Sequence, residues 1–74
     1  MTIGFIGCGN MAQPIIRSII SKGVYAPENV FVFDTDAEKL LTFCKANNTI
    51  ALTSEEEIIK KCETVFLSFV VPSQ

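Results

Sequence analysis

The sequence predicts an α/β domain with a doubly wound parallel sheet in the order β-α-β-α-β-α-β, and three observations predict it. A short apolar run through Ile3, Phe5 and Ile6 passes directly into the glycine turn Gly7-Cys8-Gly9-Asn10-Met11-Ala12, after which helical apolar spacing begins. Val30-Phe31-Val32-Phe33 is continuously apolar, β-branched and aromatic, the pattern of a strand covered on both faces of a parallel sheet. Further strand-like runs alternate with helix-like stretches to the end of the chain. Right-handed crossovers between such strands give the order 3-2-1-4, with helices on both faces.

The first helix is expected from Asn10 to Lys22. Asn10, with Gln13 three residues on, has the form of a capping box, and Pro14 falls in the first turn, where N–H groups have no helical partner. Ile15, Ile16, Ile19 and Ile20 repeat on one face, Gly23 supplies the stop, and the segment from Val24 to Asn29, with Pro27, is a loop. A second helix, Asp36 to Ala46, sets Ala37, Leu40, Leu41 and Cys44 on one face and ends at Asn47-Asn48, residues that tolerate turn geometry. Thr49 to Leu52 is a short third strand. Ser54 and three glutamates open a third helix: Ser54 and Glu57 form a capping box, the acidic first turn suits the positive end of the dipole, and Lys60-Lys61 suit the other end. The glutamate run is therefore expected to be a solvated helix start rather than a metal or acid–base site. Thr64 to Val71 is a last buried strand, followed by Pro72.

The glycine turn carries chemistry in this frame. Gly7 permits the tight turn off the first strand, and Gly9 lacks the Cβ that would keep a pyrophosphate from the backbone. Ala12 stands where a third glycine often stands, small enough for the helix to pack on the strand. The N–H groups and positive dipole end of that helix face the anion. Residues 1–74 are thus expected to form one Rossmann-like dinucleotide-binding domain, with Gly7, Cys8, Gly9, Asn10, Met11 and Ala12 at the pyrophosphate. Asp34, 25 residues after Gly9, ends the second strand, where an acidic side chain accepts hydrogen bonds from the adenosine ribose. A carboxylate there opposes a 2′-phosphate, since unit charges about 4 Å apart at an effective dielectric near 20 interact by up to about 4 kcal/mol. NADH is favoured over NADPH. The competing account is local: Asp34 or Thr35 caps the next helix, with Glu38 completing a box from Thr35.

Composition narrows the partners. A 74-residue chain, 49% hydrophobic and 19% charged, forms one small domain at most, and a domain near that size buries only about 60% of its unfolded surface. A net charge of −2 offers no basic field to nucleic acid or an anionic membrane, so anion binding is local and uses backbone groups. The N-terminal residues lack the pattern of a signal peptide and the run from Val65 to Val71 is too short to span a bilayer, so a cytoplasmic location is expected. Cys8, Cys44 and Cys62 are widely spaced in a chain without histidine, which supports neither a zinc site nor a disulfide framework. Cys8, near a helix N-terminus, is either a reactive thiol or a small residue suited to a crowded loop; Cys44 and Cys62 are expected on apolar helix faces in the core.

GFIGCGNMAQPII at Gly4 to Ile16, the helix-loop-strand that follows, and VFLSFVVP at Val65 to Pro72 resemble the N-terminal NAD(P)-binding domain of the pyrroline-5-carboxylate reductase family. The resemblance covers the whole chain, and the GFIGxGNMA signature is shared in looser form with coenzyme F420-dependent NADP oxidoreductases. It implies reduction of 1-pyrroline-5-carboxylate to L-proline with NADH or NADPH, by hydride transfer from the nicotinamide to the ring imine carbon. Position by position, it implies that Gly7, Cys8, Gly9, Asn10 and Met11 hold the pyrophosphate and Asp34 and Thr35 the adenosine ribose. It sets Ser68, Phe69 and Val70 beside the nicotinamide ribose. This chain departs from the family twice. Phe69-Val70-Val71-Pro72 stands where the family has Ala-Val-Lys-Pro and lacks the lysine, and Asp34-Thr35-Asp36 replaces the Arg or Ser that follows the second strand in NADPH-preferring relatives.

In that family a C-terminal helical domain supplies the substrate pocket and the main oligomer interface, and the 74 residues hold no catalytic constellation of their own. The chain is therefore expected to bind cofactor without turnover. Its last strand, VFLSFVV, is expected to be an apolar edge that pairs with a second copy, or that belongs to a longer polypeptide assembling as a homo-oligomer through its C-terminal domain. The alternatives are a stand-alone, non-catalytic nucleotide-binding or regulatory module, and a small α/β domain whose glycine turn binds nothing.

Overall fold

The computed structural model of the chain describes residues 1–7 and 12–67. Four strands, β1 (Ile3–Ile6), β2 (Val30–Phe33), β3 (Ile50–Ala51) and β4 (Thr64–Leu67), form one parallel sheet in the order β3-β2-β1-β4. That is the expected 3-2-1-4 order. Helices α1 (Ala12–Ser21) and α2 (Ala37–Asn47) cover one face of the sheet, and α3 (Glu55–Lys61) covers the other.

Because side chains alternate along a strand, the sheet feeds two cores. Ile3, Phe5, Val30 and Val32 pack with Ala12, Ile16, Leu40, Phe43 and Cys44 beneath α1 and α2. On the other face Ile6 joins Leu52, Ile58 and Cys62, with Phe31 and Phe33 against them. Among the described residues a single seven-residue helix covers this second face, so Phe31 and Phe33 are half-buried where the continuous apolar run implied enclosure. The lower ends of β1 and β4 are tied by Thr2 and Glu63: the Thr2 N–H donates to Glu63 Oε1 at 3.3 Å and the Glu63 N–H to Thr2 Oγ1 at 3.1 Å. β4 lies at the edge, where Val65 and Phe66 are exposed although the Phe66 ring rests 5.4 Å from that of Phe5.

Local sequence accounts for the helix ends. Gly23 has φ +73°, its N–H reaches the Ile20 carbonyl at 3.1 Å, and the Val24 N–H reaches that of Ile19 at 2.9 Å, the paired bonds of a Schellman ending. At the end of α2, Asn48 takes φ +59°, and its N–H and that of Thr49 both meet the Cys44 carbonyl. The start of α2 is capped by Asp36, which accepts the Lys39 N–H at 3.1 Å, and not by Asp34 or Thr35 as the competing local account has it. Asp34 sets this up: its Oδ1 accepts the Asp36 N–H at 2.8 Å, an Asx turn that steers the chain from β2 toward α2.

Several elements differ from expectation in detail. The buried line of α2 is Leu40, Phe43 and Cys44, while Leu41 is 61% exposed. Adjacent helical residues point about 100° apart, so the sheet takes Leu40 and not Leu41. For the same reason Ile16 is buried and Ile15 exposed. Pro27–Asn29 forms a single 3-10 turn inside the expected loop, and β3 spans two residues rather than four. Cys62 is the C-cap of α3 instead of lying on its face, though it is buried. The expected cap at Asn10 and the expected continuation of the last strand past Leu67 lie outside the described residues.

α3 sits close on β1. A Cβ on Gly4 would lie 2.6 Å from Ile58 Cγ2 and 2.7 Å from Cys62 Sγ, so the missing side chain is what admits the helix. The first turn of α3 is also braced. Ser54 Oγ accepts the Glu57 N–H at 3.2 Å, and Glu57 Oε1 accepts the Thr53 N–H at 3.0 Å and its hydroxyl at 2.6 Å. The expected box is thus made on one side and shifted by one residue on the other.

Gly4→Ala should lower stability by about 1–3 kcal/mol, because β-branched Ile58 has little rotamer freedom with which to retreat. Urea unfolding followed by circular dichroism measures this, and adding Ile58→Ala should cost less than the sum of the two single changes. The Thr53 hydroxyl first, then its N–H, hold the Glu57 carboxyl below the usual carboxylate range. The unfolded chain therefore takes up its proton at higher pH than the folded one. The contribution to stability is full above about pH 4.5 and is lost as pH falls through the folded-state value. Glu57→Gln should consequently lose less stability than the unsubstituted protein between neutral pH and about pH 3 in parallel urea titrations.

Candidate cofactor-binding cleft

β1 and β2 end side by side, with Ile6 opposite Phe33. Past that pair the chain turns at Gly7, whose φ of +106° is one that L side chains rarely adopt. Its N–H donates to the Phe33 carbonyl at 2.7 Å. Gly7 is thereby fastened to the strand that delivers Asp34, and a side chain at position 7 would strain the backbone.

A cleft of about 360 Å³ opens at this carboxyl edge of the sheet, lined by Ile6, Gly7, Phe33, Asp34, Thr35 and Glu55. A second, more apolar hollow of about 570 Å³ shares Phe33, Asp34 and Thr35 with it and extends over Ala37, Leu40, Leu41, Ala51, Leu52 and Thr53. Asp34 and Thr35 therefore form the wall common to both. The arrangement has Gly7 at one end, an apolar floor between α2 and β3 at the other, and a half-buried carboxylate between them. Both volumes fall within the range of small-molecule sites. The Asp36 N–H on its Oδ1 orients that carboxylate without depending on a flexible side chain.

Of the residues expected at the cofactor, Gly7, Asp34 and Thr35 line this cleft. Ala12 is fully buried at the start of α1, packed in the core beneath it. Cys8, Gly9, Asn10, Met11, Ser68, Phe69 and Val70 lie outside the described residues. Glu55, Leu41 and Leu52 are additions to the expected set. Glu55 arrives because α3 begins at the same edge of the sheet at which β1 and β2 end, a relation already implicit in parallel strands joined by helices. For Leu41 the available signal was its neighbour Leu40, since two consecutive leucines do not both face a sheet.

Other candidate features lie apart from the cleft. A groove of about 320 Å³ between α1 and α2 is lined by both charge signs, including Arg17, Lys39, Asp36 and Glu38. There the Arg17 guanidinium stands 5.7 Å from the centre of the Phe43 ring and donates to Gln13 Oε1 at 3.3 Å. Cys44 and Cys62 are free and buried, and burial pushes both thiols up, which disfavours the nucleophilic thiolate. Among the described residues no three His, Cys, Asp or Glu side chains are grouped to hold a metal ion, and no helix is long and apolar enough to cross a membrane.

Residues 2–73 match the family described as NADP oxidoreductase, coenzyme F420-dependent. The chain is 34% identical over 79 residues to pyrroline-5-carboxylate reductase 3 of Xenopus laevis, covering 99% of this chain and 27% of that protein. It is 31% identical over 74 residues to pyrroline-5-carboxylate reductase of Treponema pallidum (strain Nichols), covering 100% and 28%. To ComE operon protein 4 of Bacillus subtilis (strain 168) it is 35% identical over 68 residues, covering 90% and 25%. The chain thus spans about a quarter of the length of the curated relatives it matches. With a match that runs through β1, the Asp34 turn and β4 alike, the chain belongs to the NADP oxidoreductase, coenzyme F420-dependent family and has pyrroline-5-carboxylate reductases among its relatives.

Proposed function

We propose that residues 1–74 are the nucleotide-binding domain of a cytoplasmic oxidoreductase that reduces 1-pyrroline-5-carboxylate to L-proline, and that the domain holds NADH in preference to NADPH. The observation that carries this reading is the bond between the Gly7 N–H and the end of β2, which joins a glycine turn and an acidic side chain in one cleft. In this reading the pyrophosphate lies along the turn from Gly7 through Cys8, Gly9, Asn10 and Met11, with Ala12 allowing α1 to seat behind it. Asp34 and Thr35 take the adenosine ribose, and the adenine rests in the apolar hollow over Leu41 and Leu52. Ser68, Phe69 and Val70 flank the nicotinamide ribose. The bound cofactor supplies the hydride, while the residues of this chain bind and orient it. The relatives are about four times as long as this chain, which favours a division in which other segments bind the substrate and complete the reaction.

The edge of β4, with Val65 and Phe66 exposed, supports a second part of the proposal. An open strand with apolar side chains pairs with another strand where one is offered. We assign that partner to a second copy of this chain or to the remainder of a longer polypeptide, whose homo-oligomer forms through its C-terminal domain. In sedimentation velocity the 74-residue protein should self-associate at micromolar concentration; a stable monomer contradicts this part alone.

Calorimetric titration tests the cofactor assignment. NADH should bind about tenfold more tightly than NADPH, and Asp34→Ser should bring the two to within about twofold. Equal or tighter binding of NADPH by the unsubstituted protein would overturn the preference, and no affinity for either would overturn the site. Binding in every assembled form without turnover of 1-pyrroline-5-carboxylate would instead favour a stand-alone, non-catalytic module.

A further inference from the structure

We infer that Glu55 is a specificity-determining residue of this cleft, one that weakens ligands in proportion to the phosphate charge they carry; the inference rests on the nucleotide reading above. Three glutamates open α3, and the structure gives them different surroundings. Glu57 is turned back onto Thr53, accepting both its N–H and its hydroxyl. Glu56 lines neither hollow at the carboxyl edge. Glu55 faces the cleft that also holds Gly7 and Asp34.

Its position is set by the packing beneath it. Ser54 and Glu57 brace the first turn of α3, and Ile58 lies against Gly4 with no side chain between them. The described lining of the cleft therefore carries two carboxylates, Asp34 and Glu55, and no lysine or arginine. In the nucleotide reading Asp34 recognises ribose, whereas Glu55 comes from another element and lines the same cleft as Gly7, where the turn to which that reading assigns the pyrophosphate begins. On that reading, a phosphate-bearing ligand gains backbone hydrogen bonds and loses part of that gain to the Glu55 charge. An uncharged nucleoside loses nothing.

Calorimetry with adenosine, AMP, ADP and NADH on the purified protein and on Glu55→Gln tests this, with Glu56→Gln as control. The control makes the same change in net charge in the same helical turn, and circular dichroism verifies that all three proteins are folded. Glu55→Gln should tighten ADP and NADH by about fivefold and AMP by less, leave adenosine unchanged, and lose the gain at high salt. Glu56→Gln should shift ADP by less than about twofold. Equal effects of the two substitutions would assign the change to net charge and overturn the inference, as would no effect of Glu55→Gln. Weaker ADP binding by Glu55→Gln would also overturn it, by making Glu55 a direct ligand contact. If the unsubstituted protein binds neither adenosine nor ADP, the nucleotide reading itself falls and this inference with it.

Discussion

The Gly7 N–H donates to the Phe33 carbonyl at 2.7 Å, and only a residue at ease with φ of +106° makes that bond while turning the chain away from β1. A hydrogen bond of this kind adds roughly 1 kcal/mol to stability, a modest amount. Its larger effect is positional. It carries the β1–β2 ladder one bond past the last strand pair and holds Gly7 against the strand that leads into Asp34. Asp34 is then oriented by the Asp36 N–H, and Asp36 in turn caps α2, so the acidic side chain, the turn and the second helix form one continuous hydrogen-bonded unit.

A second constraint works from the opposite face. Gly4, in the middle of β1, admits Ile58 and Cys62 to within a distance that any Cβ would block. That close approach seats α3 and brings its first turn to the carboxyl edge, where Glu55 meets the cleft. Two glycines three residues apart therefore have different tasks. Gly4 serves packing between layers, and Gly7 serves a backbone conformation.

Much of this was legible in the sequence where one local rule dominates. Val30–Phe33 is a strand to the residue because a continuous β-branched and aromatic run has few alternatives, and the strand order follows from crossover handedness. Gly23 and Asn48 mark helix ends because αL geometry selects such residues. What sequence alone left open depended on competition between neighbours. The competing local account made Asp34 or Thr35 the cap of α2, and the cap falls on Asp36 instead, with Asp34 accepting its N–H. Leu40 and Leu41 compete for the sheet, and the loser floors the apolar hollow. Glu55 carries no local signal beyond its place in a helix start, because its relevance arises from where the third crossover lands.

The most direct test of the central claim, that the Gly7 turn and the end of β2 together form the nucleotide site, is a backbone amide NMR titration with NADH. The account predicts saturable shifts at Gly7, Asp34, Thr35, Leu41 and Leu52, with Arg17 and Asn47 in the groove between α1 and α2 unmoved. Saturable shifts centred on Arg17 and Asn47, with Gly7 and Asp34 unaffected, would contradict it and place the ligand on the outer side of the helical layer.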